Sequence, residues 1–231
     1  MSRFHPSQTS ENDNDLLGGT IRPRGLCSLE RFHGNLLEET FITSIATHNP
    51  RIIAACRLQD VALFQEGLPA SDAIKLMAED GDNSALLELI ESDDVAPYIC
   101  GFAVDEGALL PLETTRLSLT VDDEICGDNA KFSLVSMLIN TNDAFVGIDT
   151  DDLETTKVFP PAYDAGTEEN NELCTHIPGP ACDADSGNLE DGPGEEYIHI
   201  QRGVHGVGDI TASVYDWRNP VAEVFVSSLS A

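Results

Sequence analysis

The sequence predicts a mainly β protein, an antiparallel β-sandwich carrying one short two-helix insertion. Three observations predict it. Short runs rich in β-branched and aromatic residues recur along the 231 residues, separated by turns of Gly, Pro and Asn. Within a run, side chains alternate: Leu117, Leu119 and Val121 fall on one face and Arg116, Ser118 and Thr120 on the other, the period of a half-buried strand. Only residues 71–92 show helical spacing, so helices are an addition to the framework and not the framework itself.

Taken in order, residues 1–35 are rich in Ser, Asn, Asp, Gly and Pro and hold few spaced apolar residues. They read as an N-terminal arm, either docked on a partner or loose in solvent. The β domain then runs over residues 36–231. Strands are expected at residues 41–46, 51–58, 98–104, 115–121, 131–139, 144–148, 196–200 and 221–229. After the second of these, Ser71 precedes Ala73, Ile74, Leu76 and Met77, and beyond Gly81-Asp82-Asn83 come Leu86, Leu87, Leu89 and Ile90. Two short helices joined by a glycine turn fit that spacing, with Ser71 and Ser84 as N-caps. They are expected to cover one end of the sandwich.

A chain of 24.9 kDa suffices for one large β domain or two small ones and buries about 70% of its unfolded surface without needing a metal or disulfides. Its 12 Lys and Arg against 41 Asp and Glu give a formal charge of −29. Nucleic acid, bound through release of phosphate counterions, is excluded as a partner by that sign. So acidic a surface favours either screening salt or bound divalent cations, or serves solubility alone. Six cysteines form an even set. Cys174 and Cys182 bracket the stiff loop His176-Ile177-Pro178-Gly179-Pro180 and are expected to form a disulfide. Cys100 with Cys126 and Cys27 with Cys56 follow by elimination, and the competing reading leaves several of them as small buried apolar residues. No apolar stretch reaches the ~20 residues of a membrane span, and the polar start Met1-Ser2-Arg3-Phe4-His5-Pro6 lacks the apolar core of a secretion signal. The cysteines favour an extracellular or cell-surface setting, with the numbered chain as the mature form.

Candidate chemistry concentrates in the second half. The runs Asn142-Asp143-Ala144-Phe145-Val146-Gly147-Ile148-Asp149 and Tyr163-Asp164-Ala165-Gly166-Thr167-Glu168 place carboxylates on turns beside apolar strands. Gly166 permits a tight turn that aims Asp164 and Glu168 at one hard cation, against the alternative that these acids are simply solvated. A weaker acidic loop holds Asp183, Asp185 and Asp191, without the spacing or flanking helices of an EF-hand. His199, His205 and Asp209 could bind a transition metal or move protons, although the glycines around His205 suit a structural turn. Trp217 beside Arg218 could stack on a ligand, or plug an end of the sandwich. No Gly-x-Ser-x-Gly elbow, His-Glu-x-x-His or phosphate-cradling glycine loop occurs, so no catalytic centre is expected.

Four segments carry a family resemblance. Phe132-Ser133-Leu134-Val135-Ser136-Met137-Leu138-Ile139, Asp143 with Phe145-Val146-Gly147, the run Tyr163 to Glu168, and Asn219-Pro220-Val221-Ala222-Glu223-Val224 resemble the spondin domain of F-spondin and mindin. The likeness covers roughly residues 36–229 and is strongest after residue 131. The animal pattern Ser-Pro-Asp-Trp is here Thr141-Asn142-Asp143-Ala144, and its second Asp is Glu168, which keeps a carboxylate; the loop at Ile177 and the run His205 to Asp209 look closer to bacterial or archaeal members. The resemblance implies a C2-like sandwich, Ca²⁺ held by Asp143, Asp164 and Glu168, and a non-catalytic adhesion or matrix role toward a glycan or protein. A structural subunit of a surface filament or layer, assembled through residues 1–35, is the alternative.

Overall fold

The computed structural model describes residues 26–33, 52–58, 61–105, 107, 109–111, 113–122, 125–126, 130–150, 156–182 and 192–229. Two antiparallel sheets face each other. The smaller contains β4 (Thr114–Thr120), β1 (Leu26–His33), β10 (Glu223–Leu229) and β7 (Thr156–Val158), in that order. The larger runs β3 (Ile99–Asp105), β2 (Ile52–Arg57), β5 (Lys131–Met137), β6 (Ala144–Thr150), β8 (Ala162–Asp164) and β9 (His199–Ile200).

The main core lies between the sheets. Ile52, Ala54, Cys56, Phe132, Leu134, Val146 and Ile148 of the larger sheet meet Leu117, Leu119, Val224 and Val226 of the smaller. Alternation along each strand makes this possible, because the residues between them point to the opposite face. That opposite face of the larger sheet is also buried. Ile53, Val135, Met137 and Phe145 pack there against α1 (Asp72–Asp80) and α2 (Ser84–Glu91) through Ile74, Met77, Leu86 and Ile90. β5 is consequently buried along almost its whole length, which explains why its sequence shows little alternation. The helices therefore form a third layer over a sheet face and do not cover an end of the sandwich, as the sequence alone implied.

Local chemistry fixes these helices. Ser71 caps α1, its Oγ accepting from the Ile74 N–H at 3.2 Å, and Gly81 ends the helix in the left-handed region with φ 69°. The N-cap of α2 is Asn83 and not Ser84, whose own N–H donates to Asp82 Oδ1 at 2.8 Å.

Five expected strands match β2, β3, β4, β5 and β6 closely, and the last matches β10. The expected strand at residues 41–46 lies outside the described residues. The expected strand at residues 196–200 shrinks to His199–Ile200. Its earlier part is occupied otherwise: Glu196 has φ 65° and donates to Gly166 O, and Ile198 exchanges backbone bonds with Gly67 and Leu68. The domain also begins earlier than residue 36. Leu26–His33 of the expected arm form β1, paired with β10 on one side and β4 on the other, and an irregularity after Leu29 in both ladders breaks the alternation that would have revealed it.

Cys100–Cys126 and Cys174–Cys182 are disulfides, with Cα separations of 5.8 and 5.3 Å. The expected Cys27–Cys56 pairing falls on a side chain outside the described residues. Trp217 is only 4% exposed and belongs to the main core. Arg57, 1% exposed, holds β2 to β5 and β6 by donating to Ser133 Oγ at 2.7 Å and pairing with Asp149.

The helical layer depends on a missing side chain. A Cβ on Gly147 would stand 2.6 Å from Phe64 Cζ, and Phe64 is wedged edge-on against Phe145 at 5.3 Å and beside Tyr163 at 5.1 Å. Gly147→Ala is expected to cost about 1–3 kcal/mol through overpacking, lowering the thermal midpoint by about 2–4 °C per kcal/mol. Denaturant titration should show a lower midpoint at unchanged slope, and adding Phe64→Leu should recover part of the loss.

Candidate cation site

The site is built where β6 starts and β8 ends. Antiparallel pairing sets Ala144 opposite Asp164, and the Ala165 N–H donates to Asp143 O at 3.0 Å, so the turn entering β6 lies against the turn leaving β8. The second turn then curls around the Asp143 carboxylate. Asp143 Oδ2 accepts from the backbone N–H groups of Thr167 and Glu168 at 2.7 and 3.2 Å, and from Thr167 Oγ1 at 3.2 Å.

Gly166 makes the curl possible, as its sequence context indicated. It sits at φ 69°, and a Cβ there would meet Tyr197 O at 2.4 Å. Its N–H donates to Asp164 Oδ1 at 2.8 Å, while Asp164 Oδ2 accepts from Asn170 Nδ2 at 2.7 Å and Gln201 Nε2 at 3.0 Å. Asp143 and Asp164 are 0% exposed and Glu168 6%. The Glu168 carboxylate accepts from Asn142 Nδ2 at 3.4 Å.

This is an uneven arrangement. Asp164 has both oxygens occupied by donors, whereas Asp143 Oδ1 is buried with no hydrogen-bond partner. Among the described residues no Lys or Arg pairs with either aspartate. Burial, and then the neighbouring Asp164 charge, push the Asp143 carboxyl up to about 7, against the opposing pull of the Thr167 and Glu168 N–H groups. Burial likewise raises Asp164.

The histidines are divided. His199 stands opposite Asp164 in the β8–β9 pairing, and one ligand atom each from Asp164, Glu195 and His199 lie within 4.8 Å of one another. His205 and Asp209 belong to a different construction. Glu172 accepts from the backbone N–H groups of His205 and Val207, and Asp209 Oδ2 accepts from the Cys174 N–H at 3.1 Å. The turn expected at His205 is thus held through its backbone and not by its imidazole. Asp183, Asp185 and Asp191 lie outside the described residues.

Sequence reasoning missed Asn142, Asn170, Glu172, Glu195 and Gln201. The polar run Glu169-Asn170-Asn171-Glu172 was the available signal, since side-chain amides and acids following a strand commonly satisfy backbone groups. A cavity of about 320 Å³ opens beside these residues, lined among others by Asn142, Asn170, Glu195, His199 and Trp217.

A family model described as Spondin_N matches residues 32–170, more than half of the chain and inclusive of Asp143, Asp164 and Glu168. No curated protein sequence matches the chain.

The raised Asp143 carboxyl fixes a pH response for the cation-free protein. A carboxyl that titrates near 7 when folded, against 3.8 as its ordinary value, binds its proton more tightly in the folded state between those limits. Its contribution to stability is therefore greatest below pH 3.8 and is lost as pH rises towards about 7. In EDTA, Asp143→Asn should remove this component. An amide can keep its oxygen toward Thr167 and Glu168 and place its NH₂ toward the unpartnered side, so the gap between variant and parent midpoints should widen from pH 5 to pH 8.

Proposed function

The chain belongs to the Spondin_N family, and from that premise we propose a calcium-binding, non-catalytic protein that serves adhesion or matrix assembly outside the cell. The family points to an extracellular-matrix or adhesion-type protein, and the two disulfides suit that setting. No helix among the described residues is long and apolar enough to cross a membrane.

One observation carries the calcium reading. Asp143, fully buried, keeps one carboxylate oxygen without a partner beside a second fully buried carboxylate. An unpaired buried charge is costly, and a divalent cation offsets it by supplying the missing counter-charge. Asp143, Asp164 and Glu168 offer hard oxygens on two facing turns, and Ca²⁺ accepts a mixed set of carboxylates, carbonyls and water. The ion would draw these carboxylates together, since among the described residues the acids and histidines already within 4.8 Å of one another are Asp164, Glu195 and His199. Bound calcium would tie the turn entering β6 to the turn leaving β8 and stiffen the recognition surface around them. That surface is proposed to meet a glycan or protein of the cell surface or matrix.

The alternative of a filament or layer subunit is narrowed by the fold. β1 is already paired on both sides, so an arm that adds a strand to a neighbouring copy would have to come from residues 1–25.

The test is thermal unfolding in calcium, in EDTA, and in EDTA followed by excess calcium. A hundredfold excess over Kd adds about 2.7 kcal/mol, or about 5–11 °C for a chain of this size. Glu168→Gln and Asp143→Asn should abolish the calcium-dependent rise. Asp164→Asn is a poor choice, because an amide there would face the donors of Gly166, Asn170 and Gln201. An identical midpoint for the parent in calcium and EDTA would sink the reading.

A further inference from the structure

We propose a second cation site, for a borderline transition metal such as Zn²⁺, formed by the buried Asp164 together with Glu195 and His199, which line the cavity beside β9. It goes beyond the calcium reading and shares one ligand, Asp164, with it, while Glu195 and His199 take no part in calcium binding. Glu195 and His199 also lie beyond residues 32–170, where the family match ends.

The three ligands are gathered by the fold and not by local sequence. β8–β9 pairing sets His199 directly opposite Asp164, with His199 Nδ1 3.7 Å from Asp164 Oδ1. Glu195 is brought in by two interlocked turns. A Cβ on Gly194 would meet Gly166 O and Glu168 O at 2.6 Å each, and the Glu196 N–H donates to Gly166 O at 2.8 Å. Only a glycine at residue 194 lets the segment carrying Glu195 press onto the Asp164 turn. Tyr197 packs against the imidazole of His199 at 5.4 Å between ring centres.

The spacing suits a metal better than a hydrogen bond. At 3.7 Å, His199 Nδ1 and Asp164 Oδ1 are too far apart to share a proton directly, and Nδ1 is buried with no partner. Two ligands at about 2.1 Å from one zinc stand about 3.4 Å apart across a tetrahedral angle, so the observed gap needs only a small closure. One imidazole nitrogen with two carboxylates is the donor set of Zn²⁺, Mn²⁺ or Fe²⁺, whereas Ca²⁺ avoids nitrogen.

An independent observation points to an occupant of the same cavity. Trp217 lines it and is 4% exposed, yet its indole Nε1 is buried with no acceptor. A buried N–H without an acceptor is costly, and a water or anion held in the cavity would satisfy it. Three protein ligands leave a coordination position open, and the cavity provides about 320 Å³ for what fills it.

The experiment is calorimetric titration of the EDTA-stripped, desalted full chain with Zn²⁺ at neutral pH, with Co²⁺ absorption as a second probe. One equivalent should bind, and Co²⁺ should give visible bands of a nitrogen- and oxygen-ligated ion. His199→Gln and Glu195→Gln, both at solvent-reaching positions, should each weaken Zn²⁺ by at least about tenfold and change the Co²⁺ spectrum. Asp143→Asn should leave Zn²⁺ binding in place. Unaltered Zn²⁺ affinity in both His199→Gln and Glu195→Gln, or no binding by the parent, overturns the proposal. The calcium-dependent midpoint of His199→Gln separates the two readings: it should persist whether or not zinc binds.

Discussion

A carboxylate with no exposure to water must be neutralised or fully bonded, and Asp143 is bonded on one oxygen alone. Much of the architecture at this end of the molecule is organised around that oxygen pair. The bonded oxygen orders the turn that follows β8, through three donors from Thr167 and Glu168. That turn in turn receives Glu196 and Tyr197, whose backbone fits only because residues 166 and 194 are glycines. The other oxygen has no hydrogen-bond partner, and the charge of a second buried carboxylate, Asp164, acts on the same group. A single aspartate therefore supplies both the order of the loop and its remaining electrostatic demand.

The sheet carries this load because it is held from both sides. β5 and β6 lie between the inter-sheet core and the α1–α2 layer, so the backbone that sets Asp143 and Asp164 side by side has no solvent-facing side on which to relax. Arg57 closes the other end of the same strands, sharing its guanidinium between Ser133 on β5 and Asp149 on β6.

How much of this was legible follows from how local each signal is. The alternation at Leu117, Leu119 and Val121 and the capping serine at Ser71 are written within a few residues, and both features stand in the structure. β1 was hidden because its irregularity after Leu29 spoils the period. β7 and β8 are three residues each, too short to show a period at all. At the site, Gly166 between two acids was readable, since a tight turn needs a permissive residue where the acids occur. Glu195 was not, because nothing in the sequence states that Gly194 will pack against a turn whose glycine lies at residue 166. The placement of the helices failed for a related reason: a helix sequence records that one face is apolar, and not which surface that face will meet.

One topological feature governs the order in which the molecule can be completed. β1, the first described strand, lies in the middle of the smaller sheet, and one of its two neighbours is β10, which ends at Leu229. Every strand of the larger sheet is synthesised before that partner exists. Until Val224 and Val226 arrive, the inner face of the larger sheet lacks a central part of its cover. Closure joins residues about two hundred positions apart, a long-range contact of the kind that makes β folding slow and exposes apolar surface meanwhile. The two sheets therefore cannot close on their shared core until β10 has been made, whatever order the larger sheet and its helical layer form in.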